Sequence, residues 1–220
     1  MPTLRKGALA VLAIAAVAGL IELGAPALAR AAPWYADWAS IRQAAASISS
    51  IEADFVQTRT LRILSRPLVS RGTMSFRRPN DLRWEYQSPL QTLLVARHGD
   101  VHRLIKHDGA WVSDASGRLE AMKIVLGEIV RWLDGDFSSG KTFKATLQPT
   151  QGALPAHIEL VPADPALTKI ISRITLSLGE RPGTVRALDI YEEGEGTTHI
   201  AFARSRFDQS IPDARFEPPH

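Results

Sequence analysis

The 220-residue chain contains no cysteine. No disulfide can staple the fold and no thiolate can act as nucleophile or metal ligand, so an apolar core must hold the structure together. Catalytic signatures are missing as well. There is no Gly-x-Ser-x-Gly, no His-Glu-x-x-His, and no pair of carboxylates that strand spacing would bring together. The acids around Gly194 (Glu192, Glu193 and Glu195) read as a solvated turn. The chain is therefore read as a non-enzyme. Long uncharged apolar runs are scarce too: the one that stands out is Gly7 to Ile21.

That run follows Arg5 and Lys6 and is closed by Glu22, with small residues leading to cleavage points after Ala29 or Ala31. It is shorter than the roughly 20 residues a spanning helix needs, and the arrangement is that of a secretory signal peptide over residues 1–31. The expected mature chain, residues 32–220, is one domain. Its leader takes away Arg5, Lys6, Arg30 and Glu22, so the net charge falls from +3 to +1. A near-neutral domain gives no footprint for nucleic acid. With no cysteine at the cleavage site to carry lipid, the mature protein is expected to be soluble and not lipid-anchored.

Periodicity then separates two kinds of segment. Trp34, Trp38, Ile41, Ile48 and Ile51 recur at helical steps, which predicts a helix from Trp34 to Ile51. Short alternating runs follow, separated by turn residues: Glu52–Leu61, Arg71–Arg78, Asp81–Tyr86, Leu90–Ala96, Asp100–Lys106 and Ala110–Asp114. Leu119–Leu133 returns to helical spacing, with Met122, Leu126, Ile129 and Leu133 on one stripe. Five further strands are predicted, over Thr142–Pro149, Ala156–Pro162, Ile170–Gly179, Val185–Glu193 and Thr198–Phe207. The fold class is mainly β (α+β): a large antiparallel sheet that must curl, with an N-terminal helix and a second helix among the strands.

Two features invite chemistry and do not support it. "GDFSSGKT" (Gly135 to Thr142) fits the phosphate-loop pattern, but a helix precedes it and a strand follows, the reverse of a phosphate cradle. It reads instead as a helix end at Gly135 and a joint on which that helix can swing; no nucleotide is expected. His98, His102 and His107 lie close in sequence, in two turns and the strand between them. They make no helical pair and have no acidic partner at metal spacing. Neither metal nor other cofactor is expected.

One arginine is unusual. Alternation places Arg78 on the face of Gly72, Met74 and Phe76. Either a guanidinium points into apolar space and needs partners there, or the strand ends first and Arg78 flanks a turn.

At "GTMSFRRPNDLRWEY" the sequence resembles the periplasmic lipoprotein carrier family, the LolA-like proteins. Gly72, Met74, Phe76, Arg77, Arg78, Pro79, Asn80, Leu82 and Trp84 match its pattern in order, "FVQT" (Phe55 to Thr58) matches its Phe-x-Gln, and "ARFEPP" (Ala214 to Pro219) its closing motif. "HRLIKHDGAWV" departs from the family's usual Tyr-Asp-Pro-like stretch. The resemblance implies an incomplete antiparallel β-barrel with a helical lid over an apolar cavity. It implies acylated lipoprotein or lipid cargo, an inner-membrane lipoprotein-releasing ABC transporter that loads it and an outer-membrane receptor that takes it, with the carrier acting as a monomer. Arg78 falls on the family's functional arginine and is expected to latch the lid through hydrogen bonds to lid backbone. Phe55, Met74, Phe76, Leu82, Trp84, Met122, Leu126 and Ile129 are expected to line the cavity. Other envelope lipids, glycolipids or an acyl-chain pigment as cargo, or a lipid-sensing role, remain open alternatives.

Overall fold

A computed structural model describes residues 35–114, 127–137, 140–149, 156–165, 167–194 and 196–219. The expected leader, Trp34, Met122 and Leu126 lie outside the described residues. The chain begins with α1 (Trp38–Ala46), followed by β1 (Ser50–Thr60), β2 (Leu68–Arg77), β3 (Asp81–Ser88), β4 (Thr92–Arg97), β5 (Asp100–His107) and β6 (Ala110–Ser113). A second helix, α2, is described over 127–133. Then come β7 (Phe143–Gln148), β8 (His157–Pro162), β9 (Ile171–Leu178), β10 (Val185–Glu192) and β11 (Thr197–Phe207), and a 3₁₀ turn over Asp213–Phe216.

All eleven strands form one sheet in the order β6-β5-β4-β3-β2-β1-β11-β10-β9-β8-β7. Every pairing is antiparallel. Two meanders thus meet where β1 pairs with β11. The sheet is not closed, because β6 and β7 are its two edges. The meanders turn tightly where the sequence permits. His98-Gly99 and Asp108-Gly109 each put two consecutive residues at positive φ, which gives the two-residue hairpin twist that matches flanking strands.

Side-chain contacts show that the sheet curls. Neighbouring strands lie about 4.8 Å apart, so β3 and β11, separated by three intervals, would be about 14 Å apart if the sheet were flat. The Trp84 and Phe202 rings on those strands nevertheless meet at 6.0 Å. The concave face carries two core clusters. One joins Ile41 of α1 to Ile158, Leu160, Ile174 and Leu176 of β8 and β9. The other joins Ile48 and Ile51 to Phe55, Met74, Phe76 and Leu82.

α1 is shorter than its periodicity predicts. Ser47 caps it, with its hydroxyl donating to the Ala44 carbonyl at 2.7 Å, and Ile51 belongs to β1. Both stripes face the same core, so the apolar spacing continued across a helix end. Asp208 fixes this exit: its carboxylate accepts from the Ser49 amide at 2.8 Å and pairs with Arg181. The Ser49 amide, followed by the Ser49 hydroxyl and then Arg181, holds the Asp208 carboxyl below the usual aspartate range.

The convex face is less polar than alternation implies. Ser75 is buried, and Leu93, Val95 and Leu104 form a small outer cluster. The C-terminal segment covers part of this face. Phe216 is fully buried, with the Arg77 guanidinium 4.9 Å over its ring. Arg77 also donates to the Ile211 carbonyl and to Asp213, each at 2.8 Å, while Arg97 pairs with Asp213 at 2.7 Å. The hydrogen bond from Arg77, followed by that from Arg97, holds the Asp213 carboxyl below the usual range. A depressed pKa contributes stability above the unfolded value of about 3.9 and loses it as pH falls through the folded value. The clasp is therefore expected to stay intact across pH 5–8. An NMR titration of Asp213 should give a midpoint below about 3.9; a midpoint at or above it would remove the two arginines as its cause.

Candidate functional site

The concave face leaves an open cleft between the two meanders. It encloses about 790 Å³ including its mouth, with an inner cavity of about 90 Å³. Leu82 and Trp84 of β3 line one wall, and Leu176, Val185 and Leu188 of β9 and β10 line the other. Ile51, Ala53, Met74, Phe202 and Phe207 form the floor between them, and Ile129, Trp132 and Leu133 of α2 form the cover. Thr184 and Ser205 supply the few polar atoms.

The structure places Met74, Leu82, Trp84 and Ile129 on the lining of this cleft. Phe55 and Phe76 are almost fully buried behind the wall. Phe55 props Trp84 from the back at 4.6 Å and meets Tyr86 edge-on at 5.1 Å. Burial raises the Tyr86 hydroxyl pKa above its ordinary value, and that hydroxyl donates to Gln57 Oε1 at 2.7 Å. The sequence reading missed the whole β9–β11 wall. Its signal was present in the inward alternation of Leu176, Leu188 and Phe202, but no local pattern says that this face opposes Trp84.

Arg78 does not extend β2 into the cavity. The strand ends at Arg77 and Arg78 opens the turn to β3, so its side chain is released from the strand's alternation. The guanidinium lies between the ends of both helices. Nε donates to the Ile48 carbonyl at 2.7 Å, one terminal nitrogen to the Ala45 carbonyl at 2.8 Å, and the other to the Asp134 carboxylate. Carbonyls in the last turn of a helix lack intrahelical donors and carry the negative end of its dipole. One planar fork thus answers α1 and grips the residue that follows α2. The backbone it bonds belongs to α1 and its exit, and it reaches α2 through a carboxylate side chain.

The end of α2 is built to be held there. Gly135 adopts φ +71°. Its amide donates to Trp132 and that of Asp136 to Arg131, both at 2.9 Å, which is the Schellman closure of a helix. A Cβ on Gly135 would sit 2.8 Å from the Arg42 Cα, so only glycine lets α2 end so close to α1. Asp136 pairs with Arg42 at 3.1 Å, Arg131 with Glu128 at 3.2 Å, and Trp132 meets Phe143 at 5.8 Å. The "GDFSSGKT" stretch thus has a helix before it and β7 after it, as its neighbours predict. Among the described residues no group of three His, Cys, Asp or Glu side chains is placed to hold a metal, and no helix is long and apolar enough to cross a membrane.

Fold and site together define a class: an open antiparallel barrel with a helix drawn over an apolar cleft. The family model described as outer membrane lipoprotein carrier protein LolA matches residues 46–219, and the chain belongs to that family. It is 27% identical over 171 residues to an outer-membrane lipoprotein carrier protein of Dechloromonas aromatica (strain RCB), covering 76% of each chain. Among solved structures it is similar to MucB in the Pseudomonas aeruginosa MucA/MucB complex, with 12% identity and a TM-score of 0.48; the match covers 85% of this chain and 62% of that one. A LolA superfamily protein from Nitrosomonas europaea gives 10% identity and a TM-score of 0.39, with 82% and 97% covered.

Proposed function

We propose that the protein carries acylated lipoproteins between the two membranes of the cell envelope, holding their acyl chains in the cleft under α2. On this reading residues 1–31 are a removed signal peptide, the site of action is the periplasm, an inner-membrane ABC transporter loads the carrier and an outer-membrane receptor unloads it. The protein binds and releases and does no covalent chemistry. The observation that supports the reading is the cleft itself: walls from β3 and from β10 and β9, four and five intervals away in the sheet, share one almost wholly apolar space.

The energetics suit a shuttle. Burying an acyl chain gains about 0.8 kcal/mol per CH₂, so no specific polar contact is needed to hold it. The cavity as it stands is small. An apolar cavity of about 150 Å³ takes a benzene, and 90 Å³ takes less. Cargo must displace α2, and the work of displacement offsets part of the gain, which keeps binding reversible.

Mass spectrometry of ligand extracted from protein purified out of envelope preparations tests the assignment. Triacylated peptides are the expected result. Free phospholipid or glycolipid would replace the cargo class, and no lipid at all after extraction under non-denaturing purification would overturn the carrier reading.

A further inference from the structure

A second surface lies away from the cleft, at the end of the sheet opposite α1. The β1–β2 hairpin reads "RTLRILSRPLVSR" from Arg59 to Arg71, with four arginines, five large aliphatic residues and no acid. Every residue from Arg62 to Val69 is exposed, and Ile63 is 88% so. Leu68 and Val69 are adjacent in β2 and must point to opposite faces of the sheet, yet they are 51% and 46% exposed. Neither face of the hairpin is covered there. The register explains why: β3 ends at Ser88 opposite Arg71, so Leu68, Val69 and Ser70 run past the neighbouring strand. At that same end the β3–β4 turn presents Leu90, 70% exposed.

Charge accompanies the aliphatics. Arg59 is paired with Glu192. Arg66 and Arg71 have no carboxylate within ion-pair reach among the described residues. Ile63 and Leu64 stand in water beside Arg66, and Leu68 and Val69 lie between Arg66 and Arg71; exposed apolar patches of this kind mark contact surfaces. A narrow tip also offers little of the broad, complementary area that a stable protein interface buries. Aliphatic side chains interleaved with cations match a bilayer boundary carrying anionic headgroups, where apolar residues enter the acyl region and each Arg gains from the surface potential.

We infer that the β1–β2 tip is a membrane-surface contact: Ile63, Leu64 and Leu68 enter the headgroup boundary of an anionic bilayer, and Arg66 and Arg71 pair with lipid phosphates. This contact is separate from the cleft and would bring the carrier to a membrane whatever its cargo.

The absence of cysteine makes the test specific. Ile63→Cys takes a single nitrobenzoxadiazole label at the tip, and Gln209→Cys takes one at the far end of the sheet. With protein-free vesicles of phosphatidylethanolamine and phosphatidylglycerol at low salt, emission from position 63 is expected to rise several-fold and shift to the blue, while position 209 stays unchanged. Phosphatidylcholine vesicles should give little response. Arg66→Gln with Arg71→Gln in the labelled background should weaken partitioning about thirtyfold. No response at position 63, equal responses at both positions, or equal responses to charged and neutral vesicles would overturn the inference. So would a response to native membranes that vanishes in protein-free vesicles of the same lipids, which would assign the tip to a membrane protein. None of these outcomes bears on ligand in the cleft, so this contact and the carrier reading can fail separately.

Discussion

Arg78→Leu is expected to slow release of bound acyl cargo tenfold or more while leaving the sheet folded. The guanidinium bonds the Ala45 and Ile48 carbonyls and Asp134 beside α2. On the carrier proposal these bonds would favour the covered cleft, compete with cargo and so promote its release. Charge-assisted bonds contribute about 1.5–3 kcal/mol each when well shielded. The Arg78 side chain is 28% exposed and Asp134 35%, so screening lowers their share, and tenfold corresponds to about 1.4 kcal/mol. Without the latch the empty closed state loses population, apparent affinity rises and release slows. The fold is expected to survive because the Ala45 carbonyl keeps the Ile48 amide as a donor at 3.0 Å and the Arg78 amide keeps its bond to the Ser49 carbonyl. Arg78→Lys keeps a charge near Asp134 but not the planar fork, and should fall between. The measurement is transfer of a fluorescent acylated peptide from carrier to acceptor vesicles, with thermal unfolding as the control. Transfer at the normal rate in a folded Arg78→Leu protein would exclude the latch.

Gly72→Ala is expected to produce the larger loss of stability, about 3 kcal/mol. Gly72 pairs directly with Phe55 across β1 and β2. A Cβ there would meet the Glu85 carbonyl oxygen and come within 2.5 Å of the Phe55 ring. The carbonyl belongs to the β3 ladder, so β2 and β3 must separate locally, and the Phe55 ring must shift as well. Phe55 supports Trp84 at 4.6 Å, and Trp84 lines the cleft. Displacement therefore passes from a glycine in the wall to the cavity itself, and the variant should also bind acyl probes at least tenfold more weakly. Urea unfolding reads the first effect and probe titration the second. Phe55→Leu in the Gly72→Ala background should recover part of both by making room. A Gly72→Ala protein within 0.5 kcal/mol of the parent would show that the close packing of β1, β2 and β3 carries no such constraint.

Much of the fold was legible because strands announce themselves locally. Each of the eleven strands appears near its predicted place, since period-two alternation and Gly-containing turns are properties of neighbouring residues. Gly135 ends α2 as its position predicts, because a left-handed C-terminal residue is a local requirement. Long-range pairing was not legible. Nothing within Thr197–Phe207 indicates that it lies beside β1, and that pairing sets which residues face one another across the cleft. Ile51 kept the helical spacing of α1 although it stands in β1, because one core receives both. Ser75 and Arg77 alternate as an outer face, yet the C-terminal segment, more than a hundred residues later, covers them. Arg78 was conspicuous for the right reason, a cation beside apolar neighbours. Its partners depend on where two helices end, and strand phase holds no information about that.

If acyl chains occupy the cleft under α2, photo-crosslinking will place them there. A triacylated peptide carrying a diazirine in its acyl chain, irradiated on the protein and mapped by peptide mass spectrometry, should label Met74, Trp84, Leu188, Phe202 and the helix over 127–133. Labelling confined to the hairpin tip at Ile63–Val69, or spread over the convex face with these residues unmarked, would contradict it.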